Sequence, residues 1–356
     1  MDGIYNVYKP RGLTSRDVVS QVQRILRSQR QIRIRVGHAG TLDPMAEGVL
    51  VIAVGQATRL IEYLQRGEKE YLATFQFGVT SPTEDTESEL CQVPCASIPT
   101  QEEILRTGRS MCGTLLQRPP AYSAIHVNGQ RAYDLARRGE AVILPERPVM
   151  IYDFELLDYV WPQFRFRLRC GSGTYVRSFG RDLARRLGTD AVMSALLRTA
   201  VGIFRYEEAV HLPEIPRYQD PDAVPPEKRD AATQQCQERL GRIAEALAML
   251  QTARRPMIDG VPLPILTLPE RLLGELRLGL AISIADCAAA GAPLPTNPKR
   301  ASLTEDRTEG TDTTLYAVVG TAGTLESIVQ RTGAAETLRV RRNFPHDVNF
   351  PHDVDP

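Results

Sequence analysis

The chain predicts an α+β fold, with a mixed, mainly antiparallel sheet, flanking helices and a small C-terminal β-rich module. Three observations carry that expectation. Strand-like and helix-like stretches alternate without a regular strand–helix–strand rhythm. Residues 70–77 and 164–170 switch between apolar and polar at every step, the period of a strand with one buried face. From about residue 262 the composition changes, and short strand-like pieces follow near 279–284, 315–319 and 337–342.

In chain order, residues 4–8 read as a short strand. Thr14 or Ser15 can cap a helix over 16–27, with Asp17 completing a capping-box-like start and Val18, Val19, Val22, Ile25 and Leu26 on its buried face. The apolar run Val49 to Val54 reads as a buried strand. Thr100 and Glu103 form a capping box for a helix across 101–112. Phe164, Phe166, Leu168 and Cys170 alternate with Arg165, Arg167 and Arg169, giving one apolar and one arginine face. Tyr175, Phe179, Leu183 and Leu187 then recur every four residues, a helix closed by Gly188. Residues 213–230 are proline-rich and read as an excursion, followed by a helix over 234–250. Residues 287–314 read as a flexible insertion, and the repeated Phe-Pro-His-Asp-Val at 344–348 and 350–354 as part of a low-complexity tail over 343–356.

Composition narrows the function. The 356 residues are 42% hydrophobic and 24% charged, the range of a soluble globular protein. No apolar run reaches the length of a membrane span, and the N-terminus carries no signal-like segment, so a cytoplasmic protein is expected. The six cysteines are scattered and the five histidines share no ligand spacing, so no metal is expected. Zero net charge hides an uneven distribution. Residues 1–60 hold nine Lys/Arg against four Asp/Glu, and residues 161–200 hold eight against two. Two basic blocks in a neutral chain fit either a phosphate-facing surface or solvated faces of a helix and a strand. No Walker loop or dinucleotide fingerprint is present.

Residues 37–48, Gly-His-Ala-Gly-Thr-Leu-Asp-Pro-Met-Ala-Glu-Gly, set one carboxylate, Asp43, in a turn of small residues ahead of the apolar strand. Pro44 biases Asp43 towards an extended backbone, and the glycines allow close approach to a ligand. A loop acid braced by a rigid element is a common way to place catalytic chemistry.

This stretch resembles the central motif of the TruB-type tRNA pseudouridine(55) synthases. Asn6-Val7-Tyr8-Lys9-Pro10-Arg11-Gly12-Leu13-Thr14-Ser15 resembles the family's N-terminal segment, and Lys69-Glu70-Tyr71 its tyrosine motif. Gly171-Ser172-Gly173-Thr174-Tyr175-Val176-Arg177 and Leu196-Leu197-Arg198-Thr199 resemble two further motifs, in the family's order over residues 4–206. The resemblance implies a pseudouridine synthase-like catalytic domain over 1–250 and an RNA-binding PUA-like module over 262–342. It implies isomerisation of uridine 55 in the tRNA T-loop, with no cofactor or metal and a monomeric enzyme gripping the T-arm.

The resemblance also assigns residues. Asp43 is the catalytic acid and Arg177 its partner. A carboxylate works best here ionised, and a guanidinium beside it favours that state and fixes its orientation. Tyr71 stacks on the extruded uracil and handles the proton at C5. Tyr175 and Leu196 line the pocket. His38 helps open the target loop. Lys9 is structural or phosphate-facing, bracing the catalytic loop. Residues 118–140, with Arg118, Arg131, Arg137 and Arg138, fit a mobile insertion that grips the T-arm. An RNA chaperone without chemistry and a glycoside hydrolase using Asp43 are the other functions considered. Against the hydrolase, no second carboxylate stands out as a paired acid within the motifs.

Overall fold

The computed structural model describes residues 2–30, 34–95, 97–127, 129–140, 142–215, 221–255, 263–292, 294, 314–320, 324–332 and 336–344. The tail repeat beyond residue 344, most of the 287–314 insertion and part of the 213–230 excursion lie outside them. The chain divides into two compact units. One comprises Tyr5–Ile52 and Gln65–Arg254; the other comprises Met1–Ile4, Ala53–Leu64 and Arg255–Pro356.

The main sheet orders its strands Arg254–Arg255, Gly3–Lys9, Glu47–Val54, Ala191–Val201, Lys69–Phe77, Gln163–Cys170, Arg147–Val160 and Gly113–Gln117 from one side to the other. Ala191–Val201 pairs parallel with Glu47–Val54 and antiparallel with Lys69–Phe77. The strands beyond it pair antiparallel. The mixed, mainly antiparallel sheet is therefore as expected. Alternation decides which face is buried: Phe164, Phe166 and Leu168 are fully buried, while the arginines between them are not. Phe75, Phe77, Phe154 and Phe179 complete an aromatic core, with the Phe77 and Phe164 rings stacked at 4.1 Å. Each such ring contributes roughly 1.5–3 kcal/mol on burial.

Local signals set the helices. Thr14 and Asp17 exchange hydrogen bonds at the start of the Ser15–Arg30 helix, and Thr100 and Glu103 form the full capping box of Gln101–Ser110. The helix Val176–Arg186 lies close against the sheet because Gly180 presents no side chain: a Cβ there would stand 2.1 Å from the Phe75 ring. That close approach fixes the height of Arg177 above the sheet.

The second unit carries its own sheet, ordered Ile265–Thr267, Leu315–Val319, Leu325–Thr332, Thr337–Asn343 and Ile282–Ser283. Helices Glu270–Arg277 and Ile284–Ala289 pack Leu272, Leu276 and Cys287 onto Val318, Val329 and Leu338. The strand pieces near 315–319 and 337–342 are as expected, and the helices are additional. Among the described residues no helix is long and apolar enough to cross a membrane.

Candidate active site

The loop that carries Asp43 is pinned from several directions. Ser15 donates through Oγ to the Leu42 carbonyl (3.1 Å) and accepts from the Leu42 N–H (2.8 Å). The Gly12 N–H donates to the Pro44 carbonyl at 2.8 Å. Arg198, 1% exposed, donates through Nε to the Val49 carbonyl at 2.8 Å and through Nη2 to the Gly40 carbonyl at 3.1 Å. Gly48 lies where its loop meets the strand, at φ +109°, and a Cβ there would be 2.3 Å from the Arg198 carbonyl oxygen. Only glycine fits that contact.

Lys9 is fully buried. Its ammonium donates to the carbonyls of Pro10 (3.0 Å), Pro44 (3.3 Å) and Ala46 (2.5 Å). All three N–H bonds are used on backbone, so its place is that of a loop brace rather than a phosphate contact. Burial pushes its pKa down to about 8, and the Asp43 carboxylate partly offsets this. The brace is therefore cationic at neutral pH and is lost as pH rises through about 8. Stability moves the other way. An unfolded lysine titrates near ~10.4, so between those values the unfolded chain binds more protons and Lys9 favours folding increasingly with pH. Turnover is expected to decline above about pH 8 with no matching fall in melting temperature. Lys9→Met should be slower at neutral pH and lose most of that alkaline decline; a parent-like profile in this variant would contradict the brace.

Arg177 enters from the first turn of Val176–Arg186. Its Nε lies 2.9 Å from Asp43 Oδ2, in an ion pair whose side chains are 5% and 34% exposed respectively. The rest of the guanidinium is spoken for. Nη1 donates to the Thr83 carbonyl (2.7 Å) and stands 3.8 Å from Asp85 Oδ2; Nη2 donates to the Tyr122 carbonyl (3.1 Å). Asp43 is thus held in one orientation with part of its surface open. The two residues expected as partners do meet.

Tyr71 is buried on the neighbouring strand, facing Arg198 across the pairing with Ala191–Val201. Burial pushes its phenol up; the Arg198 guanidinium opposes this, and the Asp43 carboxylate adds a smaller upward push. The phenol is neutral at physiological pH and able to donate a proton. Leu196, 7% exposed, lies on the same strand as Arg198. Tyr175 precedes the Arg177 helix, where the buried Gln117 amide clamps its backbone in both directions (2.8 and 3.1 Å). The Arg147 guanidinium lies 5.2 Å from the centre of the Tyr175 ring. His38 is half-buried at the entrance to the Asp43 loop. Burial first, then the Arg198 charge, lowers its pKa below 6.5, so the imidazole is neutral at pH 7. Among the described residues no three His, Cys, Asp or Glu side chains gather as a metal-ligand group.

The arginine strand does not form a free cationic face. Arg165, Arg167 and Arg169 stand opposite Asp158, Glu155 and Asp153. Arg167 is ion-paired with Glu155 and Arg169 with Glu68. Residues 118–140 form a hairpin, His126–Val127 with Gln130–Arg131, followed by the helix Ala132–Arg137. Arg118 and Arg138 pair with Glu146 and Glu140, whereas Arg131 and Arg137 are exposed beside the Tyr133 ring.

Sequence reading missed four participants: Asp85, Glu84, Arg198 and Gln117. Asp85 lies outside the matched motifs; at 2% exposure it is a buried second carboxylate set against Arg177. The available signals were the acid cluster Glu84-Asp85-Thr86-Glu87 just after a strand, and Arg198 inside a motif already noted.

A family model described as "TruB family pseudouridylate synthase (N terminal domain)" matches residues 24–176. A relative from Rhodopirellula baltica, named tRNA pseudouridine synthase B, is 38% identical over 295 residues, spanning 82% of this chain and 78% of its own. One of the same name from Acaryochloris marina is 46% identical over 202 residues, spanning 56% and 68%. A solved structure described as a Cbf5-Nop10-Gar1 complex shares the fold, with a TM-score of 0.64 at 23% identity, covering 96% of this chain and 85% of its own. By its sequence similarity over most of a curated relative's length, this chain belongs to the TruB family of pseudouridylate synthases.

Proposed function

We propose that this protein isomerises uridine 55 in the T-loop of tRNA to pseudouridine. The observation that carries the reading is the Asp43–Arg177 ion pair, built from two segments distant in sequence and left partly open on the carboxylate side. The reaction breaks the C1′–N1 bond, turns the base and joins C1′ to C5; N1 gains a proton and C5 loses one. Nothing is oxidised or reduced. A single carboxylate starts it, by attacking the nucleotide or by abstracting a sugar proton, and Asp43 has that role here. Arg177 orients it, and Tyr71 faces the uracil, its neutral phenol releasing its own proton to water or the uracil as it takes the one from C5.

A stacked uridine cannot reach Asp43, so the nucleotide is extruded at a cost of a few kcal/mol. Stacking and phosphate contacts offset that cost. A neutral His38 is suited to stack where the loop opens, and Tyr175 and Leu196 line the apolar side of the pocket. The exposed Arg131 and Arg137, on the 118–140 insertion, are suited to the T-arm backbone. The enzyme acts as a cytoplasmic monomer without metal or cofactor. Its catalytic part spans 1–250, and 262–342 serves as a PUA-like RNA-binding module. Pseudouridine mapping at single-nucleotide resolution in bulk tRNA tests the substrate. Cells lacking this protein should lose the mark at the T-loop position alone; an unchanged map contradicts the assignment.

A further inference from the structure

The segment Thr83–Asp85 supplies two of the groups that face Arg177, and its own anchor is Glu84. This residue adopts φ +62°, a left-handed conformation uncommon for a side chain with a Cβ. Such backbone persists only where the surroundings enforce it. Here they do so from one helix. The Glu84 side chain is 14% exposed; its Oε2 accepts from Ser178 Oγ at 3.1 Å, and its Oε1 is ion-paired with Arg181 Nη1. Arg181 lies one turn beyond Arg177 on the same helix, and its other nitrogens hold Asp182 and the Arg118 carbonyl. Meanwhile the Glu84 carbonyl accepts from the Met193 N–H at 3.0 Å, tying the segment to the sheet.

We propose that Glu84 is a positioning residue for pseudouridine formation: gripped by Ser178 and Arg181, it registers Thr83 and Asp85 against the Arg177 guanidinium and leaves Nε aimed at Asp43. The same helix thus carries both the guanidinium and the clamp that sets its partners. If the clamp loosens, Nη1 loses its fixed acceptors, the guanidinium rotates and Asp43 loses its orientation. Both Glu84 carboxylate oxygens are engaged by the Arg177 helix, so tRNA binding should be spared.

This inference rests on the roles given above to Asp43 and Arg177. Turnover of Asp43→Asn and Arg177→Lys beside the parent chain on a tRNA transcript tests those roles; the Glu84 variant is read as a ratio to the parent, so the two failures are distinguishable. In Glu84→Gln the shape is kept, but the amide turns a donor towards Ser178 or Arg181. Its single-turnover rate should fall by about 10- to 100-fold, the scale of a displacement of about 1 Å at a reacting group. Its Kd for the same tRNA, by filter binding, should stay within about threefold, because phosphate contacts dominate affinity. A rate within about twofold of the parent, or a loss carried by Kd instead, overturns the proposal. Should Glu84→Gln fail to melt cooperatively, Ser178→Ala decides: it deletes one hydrogen bond without touching charge. A drop of about three- to tenfold in rate at unchanged Kd supports the clamp. A parent-like rate in Ser178→Ala then overturns it.

Discussion

Asp43→Asn is expected to lower product formation by at least ~10⁴-fold, about 5.5 kcal/mol of transition-state stabilisation, while tRNA affinity stays within about threefold. The amide has nearly the same shape as the carboxylate, so the loop pins from Lys9, Ser15, Gly12 and Arg198 remain. Arg177 also keeps its acceptors at Thr83, Tyr122 and Asp85. What is lost is the negative charge and the lone pair that starts the reaction, groups needed in the transition state and not for binding phosphates. Single-turnover kinetics beside filter binding check the split. Turnover near the parent level would remove Asp43 from the mechanism.

Arg177→Lys comes next in size. An ammonium keeps the charge but not the planar fork, and Arg177 uses that fork in three directions at once. A lysine reaching Asp43 leaves the Thr83 and Tyr122 carbonyls short of a donor. It also leaves Asp85, 2% exposed, with a poorly placed countercharge. The rate should fall by about 10²- to 10³-fold through loss of orientation. Unfolding free energy should fall by roughly 1–3 kcal/mol, the cost of buried groups left unsatisfied. Denaturant melts and the same kinetic assay measure both. A variant as stable and as fast as the parent would show that the ion pair is incidental.

Local chemistry was legible in the sequence. The Thr100–Glu103 capping box, the alternation through Phe164–Cys170 and the apolar run at Val49–Val54 each depend on residues a few positions apart, and each appears where the pattern places it. The Asp43 and Arg177 pairing came from matched motifs; no spacing rule could have joined them. Asp85 and Arg198 stand in stretches that carry a signal, but their roles arise from pairings between distant strands and from an isolated bridge of Asp85 with Met193. Charge counting could not decide between the two readings of the arginine strand for a similar reason: it sees three cations but not the acids set opposite them by an antiparallel neighbour. Helix Glu270–Arg277 lay in a stretch read only for its strands, although Leu272, Leu273 and Leu276 recur at helical spacing.

One acid, steadied by one guanidinium, is proposed to rearrange an extruded uridine. The most direct test of that role incubates the purified full chain and Asp43→Asn with an unmodified tRNA transcript in the presence of EDTA, and reads every uridine by mass spectrometry of nuclease fragments. The parent chain should convert the T-loop uridine at position 55 completely, Asp43→Asn should convert none, and the two should bind comparably. Conversion by Asp43→Asn, or none by the parent chain, would contradict that role.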